Sequence, residues 1–200
     1  MYEIHEGIVY LILNDFNTSS VVDHKGEPTG ATARHRTGTL PFMAVDILEN
    51  PNSPHYFKHD IESIFYVAVW CTVKLPISAK MKTSISRRKQ CLKNWEEGGA
   101  AAVADAKTRL VTRGVRALRF SEEFAPYSMW LCEVARILKD GQSAMDAVSD
   151  RRIIYGDKVD EDFDMETSDH YITYDKIKVA MDSGMKHVSR VIPDALTLSS

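Results

Sequence analysis

Residues 60–72 constrain this chain more than any other segment. Ile61, Ile64, Phe65, Ala68 and Val69 fall at i, i+3, i+4, i+7 and i+8, the spacing of one face of an α-helix. Asp60 stands where an N-cap or first-turn carboxylate would. Tyr66, Val67 and Trp70 make the segment apolar on most of its sides, so the helix is expected to be central and buried. Four further segments read as helical. Residues 44–49 form a short piece that stops before Pro51, and residues 95–111 an Ala-rich one after the Gly98–Gly99 interruption. Residues 124–138 carry Trp130, Leu131, Val134 and Leu138 on one face, with Gly141 as the stop. Residues 175–190 run through Ile177, Met181 and Val188.

The start of the chain reads differently. Residues 8–13 are a continuous β-branched and aromatic run, as in a buried strand, and His5-Glu6-Gly7 supplies a turn before it. Residues 14–41 are rich in Thr, Ser, Gly and Asn, with Pro28 and Pro41, and read as a long loop of the kind that tends to be functional. Residues 157–169 are strongly acidic and are expected as a solvated loop. The fold class is therefore mainly α, with a short N-terminal β-hairpin.

A hydrophobic fraction of 44% supports a packed core. The net charge of −3 argues against a general nucleic-acid binder; the basic stretch Lys80–Lys93 reads first as a solvated face, with docking of an acidic or phosphorylated partner as its alternative. Cys71, Cys91 and Cys132 are odd in number and far apart, which reads as free thiols in a reducing compartment. The N-terminus lacks the pattern of a secretory signal, and the apolar run from Ile64 to Cys71 is too short to span a bilayer. The expectation is an intracellular protein, cytoplasmic or nuclear, with no membrane association.

Three blocks carry chemistry. Leu13-Asn14-Asp15-Phe16-Asn17 closes the apolar run, Arg36-Thr37-Gly38-Thr39-Leu40-Pro41-Phe42-Met43-Ala44 ends the long loop, and His59-Asp60-Ile61-Glu62-Ser63-Ile64-Phe65-Tyr66-Val67 opens the strongest helix. In that order they resemble the D-F-G segment, the end of the activation segment and the start of the central helix of a protein kinase C-lobe. Their particular wording, together with Trp95 and the Ala-rich stretch ending in Lys107, is similar to that of the fungal-type protein kinase family. The resemblance is specific over residues 8–70 and weaker to about residue 140.

The resemblance implies roles. Asp15 would hold Mg²⁺ on the nucleotide phosphates, a hard cation taking carboxylate oxygen. Taken alone, an Asp after a strand would simply start a turn. Asn17 replaces the Gly of D-F-G and is the residue that best tolerates left-handed backbone after Gly. Arg36, Thr37, Gly38, Thr39, Pro41 and Phe42 would form the platform that receives a protein substrate, with Thr39 supporting a Ser or Thr acceptor. Asp46 stands in place of a Glu in the family's pattern, one methylene shorter, which weakens the expected ion pair. Asp60 would accept backbone N–H groups of the catalytic loop; its alternative is a solvent-facing N-cap.

The 200 residues contain no Gly-rich loop, no paired Lys and Glu of the kinase type and no H-R-D-x-x-x-x-N. Met1 is therefore expected to be an internal start, with the catalytic loop upstream in a longer product, and the isolated piece to be marginally stable or to self-associate. Residues 1–150 are read as the partial kinase domain and residues 151–200 as a C-terminal extension. The resemblance implies a Ser/Thr protein kinase using Mg-ATP, inactive as this piece and binding no cofactor tightly, whose partner is a protein substrate or the missing N-lobe half. The alternative is a non-catalytic pseudokinase-like interaction module. A kinase-like small-molecule phosphotransferase fits less well, because it has no use for the platform.

His55 and His59 are four apart but lack a third ligand at metal spacing. Asp160, Asp162 and Asp164 mimic the start of a calcium loop, yet Met165 and Tyr171 occupy the positions that need Gly and Glu.

Overall fold

The computed structural model describes residues 2–5, 8–11, 39–74, 92–115, 118, 120, 124–156 and 160–191, with side chains from residue 39 to residue 184. Contacts divide the chain into two units, Met1–Thr37 with Asp194–Ser200, and Gly38–Pro193. In the first, β1 (Tyr2–His5) pairs antiparallel with β2 (Ile8–Leu11), Tyr2 opposite Leu11 and His5 opposite Ile8. This register leaves two residues to link the strands, the commonest length for such a pair.

The second unit has only helices as regular elements among its described residues, joined by turns. It contains α1 (Val45–Glu49), α2 (Phe57–Lys74), α3 (Lys93–Glu97), α4 (Ala100–Arg113), a 3₁₀ turn at Ala125–Tyr127, α5 (Ser128–Tyr155) and α6 (Tyr174–Val191). The boundary read at residue 150 falls inside α5. No described helix is long and apolar enough to cross a membrane.

Helix α2 starts three residues before Asp60, and its buried face is rotated from the one that periodicity suggests. Phe65, Tyr66, Val69, Thr72 and Val73 are buried, while Ile64 and Val67 are 62% and 42% exposed. The buried stripe runs back through Glu62 to Lys58 and His59, which are 3% and 1% exposed. One end of the central helix is thus a row of polar groups inside the protein.

Two of the amides left open at the start of α2 are closed by a residue far along the chain. The Phe57 N–H donates to the Glu166 carboxylate at 2.7 Å, and the Lys58 N–H to the Glu166 carbonyl at 3.0 Å. A carboxylate here also meets the positive end of the helix dipole. Glu166→Ala is expected to lower stability by about 1 kcal/mol, read as a urea midpoint, with Glu166→Gln recovering part of the loss because it keeps an acceptor.

The acidic segment holding Glu166 is the expected non-helical stretch with Glu161, Asp162 and Asp169 exposed, and it is also held in a defined turn. Asp164 accepts from the Thr167 hydroxyl and, at 2.9 Å, from the Glu166 N–H. The Ile172 N–H returns to the Thr167 carbonyl at 2.8 Å. Ser168, Asp169 and His170 are consecutive left-handed residues, and Ser168 is only 1% exposed. Side-chain bonds from Asp and Thr compensate a backbone that L-residues disfavour by about 1–2 kcal/mol each.

Gly141 does not stop a helix. It lies within the 28 residues of α5, where a Cβ would come within 2.8 Å of Ile172. Glycine at this position admits Ile172, not a turn. Gly184 does the same for α6, where a Cβ would stand 2.4 Å from the Cβ of Trp130 on α5. The expected Gly98–Gly99 interruption is present ahead of the Ala-rich α4: Gly98 closes α3 by donating to the Asn94 carbonyl at 3.1 Å, and Gly99 caps α4.

Candidate functional site

Residues 39–46 lie across the polar end of α2. The Phe42 N–H donates to the Thr39 carbonyl at 2.8 Å and makes a turn, in which Thr39 is exposed. The Phe42 ring meets Trp70 of α2 edge to face, with centroids 6.0 Å apart. Met43 and Ala44 are buried, and Ala44 precedes the first turn of α1.

Three charged groups hold this stretch. Lys107 of α4 is fully buried, and its Nζ donates to the Met43 carbonyl and, at 3.2 Å, to the Leu40 carbonyl. Around the same amine stand the Tyr66 ring at 4.0 Å and the Trp95 ring at 5.5 Å, both presenting electron-rich faces. Glu62 of α2 accepts the Val45 N–H at 3.0 Å and the Tyr66 hydroxyl at 2.5 Å on one oxygen. Trp95 packs edge to face on Tyr66 at 5.2 Å, closing the cluster from α3. Glu96 beside it binds Lys74 at 2.8 Å and Trp70 Nε1 at 3.3 Å, fixing α3 to α2.

Asp46 is the third anchor. Its Oδ2 lies 3.0 Å from the Lys58 ammonium and 3.4 Å from His59 Nε2. The Tyr56 N–H donates to His59 Nδ1 at 3.1 Å, which leaves Nε2 as the donor toward Asp46. A shortened carboxylate thus still forms an ion pair, with Lys58 from the helix it faces.

Burial and charge set the protonation of these groups. Burial works to raise Asp46, but the hydrogen bond from His59 and the charge of Lys58 prevail and hold it down at about 2. Burial pushes Glu62 up, against the hydrogen bonds from Tyr66 and Val45. Tyr66 rises well above its ordinary value, from burial first and then from the charge of Glu62. Burial draws Lys107 down to about 7, with Glu62 opposing.

The structure brings Thr39, Pro41, Phe42 and Asp46 into one assembly. Asp60 is on the other side of the helix, with its side chain 65% exposed and 3.5 Å from His55. Asp15, Arg36, Thr37 and Gly38 lie outside the described residues, as do the long loop up to residue 38 and most of the basic stretch. Among the described residues no three His, Cys, Asp or Glu side chains are grouped as a metal site requires. Asp160 instead binds Arg151 at 2.7 Å.

Glu62, Tyr66, Lys58 and His59 were not singled out by sequence reasoning as a buried cluster, yet a signal was there. Val103, Ala104, Lys107, Leu110 and Val111 form one helical stripe, and Lys107 sits in its middle. A cation at the centre of an apolar stripe needs a partner inside the protein.

The family model of the fungal protein kinase matches residues 11–72. That stretch covers all three blocks, including the turn at Thr39–Phe42, Asp46 and the polar end of α2. No curated protein and no solved structure matches this chain. The matched region is kinase-like at the level of the family, and Trp95 and Lys107, which complete the cluster, lie beyond it.

Proposed function

We propose that this chain contributes the substrate-binding part of a fungal-type Ser/Thr protein kinase, which transfers the γ-phosphate of ATP to a protein hydroxyl. The observation that carries this reading is the fungal protein kinase match over the stretch whose backbone Lys107, Glu62 and Asp46 hold in place. Such transfer depends chiefly on positioning and electrostatics, so a platform fixed at several points suits it. Thr39, the first residue of the turn, is exposed, so an acceptor hydroxyl can reach it.

Mg²⁺ bound to ATP is the group this reading implies. The donor chemistry fits in kind, since Asp15 offers the hard carboxylate oxygen that Mg²⁺ takes. The metal neutralises charge on the phosphates when bound. The chain's own residues hold and orient the acceptor, with Thr39 and Phe42 shaping the platform.

The test is to join these 200 residues to a segment carrying a Gly-rich loop and an H-R-D-x-x-x-x-N catalytic loop. Incorporation of γ-phosphate into Ser and Thr peptides is then measured. Mg²⁺-dependent transfer is expected, falling at least 1000-fold in Asp15→Ala, on the order expected when a metal ligand of the transferring phosphate is lost. Transfer that is absent, or indifferent to Asp15, would leave a non-catalytic interaction module as the better reading.

A further inference from the structure

We propose that Lys107 is a positioning residue for the substrate platform, its terminal amine fixing the backbone of residues 39–44 by donating to the carbonyls of Leu40 and Met43. The name platform rests on the kinase reading; the hold itself does not.

Lys107 occupies a position that an apolar residue would fill at less cost. Its neighbours along α4 in the buried stripe are Val103, Ala104, Leu110 and Val111, and a Met or Leu would continue them. A lysine placed there is desolvated with its amine, which is tolerated only where its donors are used. Both carbonyls it reaches belong to one four-residue stretch, more than sixty positions away in sequence. From the opposite polarity, Glu62 takes the amide that directly follows the segment, that of Val45. The segment is gripped by a donor on its carbonyls and by an acceptor on the N–H that follows it, each from a different helix.

The hold is linked to a proton. Burial draws the amine down to about 7, and any opening of residues 39–44 rehydrates it and raises its affinity for the proton. The closed form therefore gains as pH rises above about 7, where the neutral amine still has two N–H groups for two carbonyls. The titratable groups facing it are Glu62 and Tyr66 from α2 and Asp46 from α1, the last turned toward Lys58 and His59. From α3, Trp95 brings none.

Amide hydrogen exchange on the full chain tests this, with protection corrected for the intrinsic rate and followed from pH 6 to pH 8.5. Lys107→Met is expected to lower protection of residues 39–48 about tenfold or more at pH 8, the effect of leaving buried carbonyls unpaired, while residues 131–138 change less than about twofold. Protection of residues 39–48 in the unsubstituted chain is expected to rise severalfold across the pH range, a slope absent from the variant. Equal losses in both regions, or a flat profile in the unsubstituted chain, would overturn the proposal. Should Lys107→Met fail to fold, Lys107→Gln, which keeps one donor, takes its place: a loss of protection confined to residues 39–48 is expected, and equal losses in both regions overturn the proposal. A fusion that transfers no phosphate would sink the kinase reading and leave this result standing, so the two fail separately.

Discussion

Asp46→Ala is expected to destabilise the helical unit by about 3–5 kcal/mol, the range for removing one partner of a buried ion pair. The Lys58 side chain is 4% exposed and its ammonium lies 3.0 Å from Asp46. Removing the carboxylate leaves that charge enclosed and also frees the Nε2 donor of His59. Asp46→Asn separates charge from packing, since its amide oxygen can still accept one bond; a loss about half as large is expected. Urea unfolding at pH 7 provides the measurement. A loss below about 1 kcal/mol for the alanine variant would show that Lys58 finds water or another partner at little cost.

The same carboxylate fixes how stability responds to acid. Its value in the folded protein, about 2, lies below the ordinary 3.8, so the folded state binds this proton less readily than the unfolded chain does. The stabilisation is fully present above about pH 4 and is lost as pH falls toward 2. The size is on the order of 2 kcal/mol by the usual conversion of a pKa shift. In Asp46→Asn this part of the acid limb is expected to vanish.

Gly184→Val is the second large effect. A Cβ on residue 184 would lie 2.4 Å from the Cβ of Trp130 and 3.1 Å from its Cα. Neither atom sits at the end of a flexible side chain, so the two helices must separate. Overpacking of this kind costs about 1–3 kcal/mol, and valine adds the steric stiffness that disfavours it in helices. Gly184→Ala gains up to about 1 kcal/mol of helix propensity and is expected to lose less. Thermal melts of both variants, with valine the lower, are the check. A valine variant as stable as the parent would mean that α6 shifts freely on α5.

Local signals made the helices legible, and non-local ones hid their details. The apolar spacing of residues 60–72 announces α2, because a stripe at period 3.6 depends on nothing beyond itself. Which side of α2 faces inward is decided by Lys107, Trp95 and Glu166, all distant in sequence, so Ile64 and Val67 ended outside. Gly141 is ambiguous for the same reason. A glycine within an apolar pattern can end a helix or admit a neighbour, and the neighbour here is Ile172, thirty-one positions on. The run of acids at residues 160–169 has the composition of a solvated loop, and only the Asp164–Thr167 bond and the reach of Glu166 make it a folded turn.

The site was legible as wording rather than as geometry. The blocks at residues 36–44 and 59–67 could be read in order, and the family match covers both. What holds them is a cluster of ionisable side chains on three helices, and no one-dimensional pattern states which charge meets which. Asp46 shows the gap: replacement of a Glu by a shorter carboxylate suggested a weakened pair, yet Lys58 lies close enough to complete it.

The closure of α2 by Glu166 has a consequence for how the protein is made. The bond from Phe57 spans 109 positions. At about 5–20 residues per second, a ribosome needs roughly 5–20 s to move from one partner to the other. During that interval the first turn of the central helix has emerged with its amides open and Glu166 not yet synthesised. The late arrival of one carboxylate thus sets a clock on the nascent chain, and the helix on which the kinase-like segment rests is finished only after Glu166 has left the tunnel.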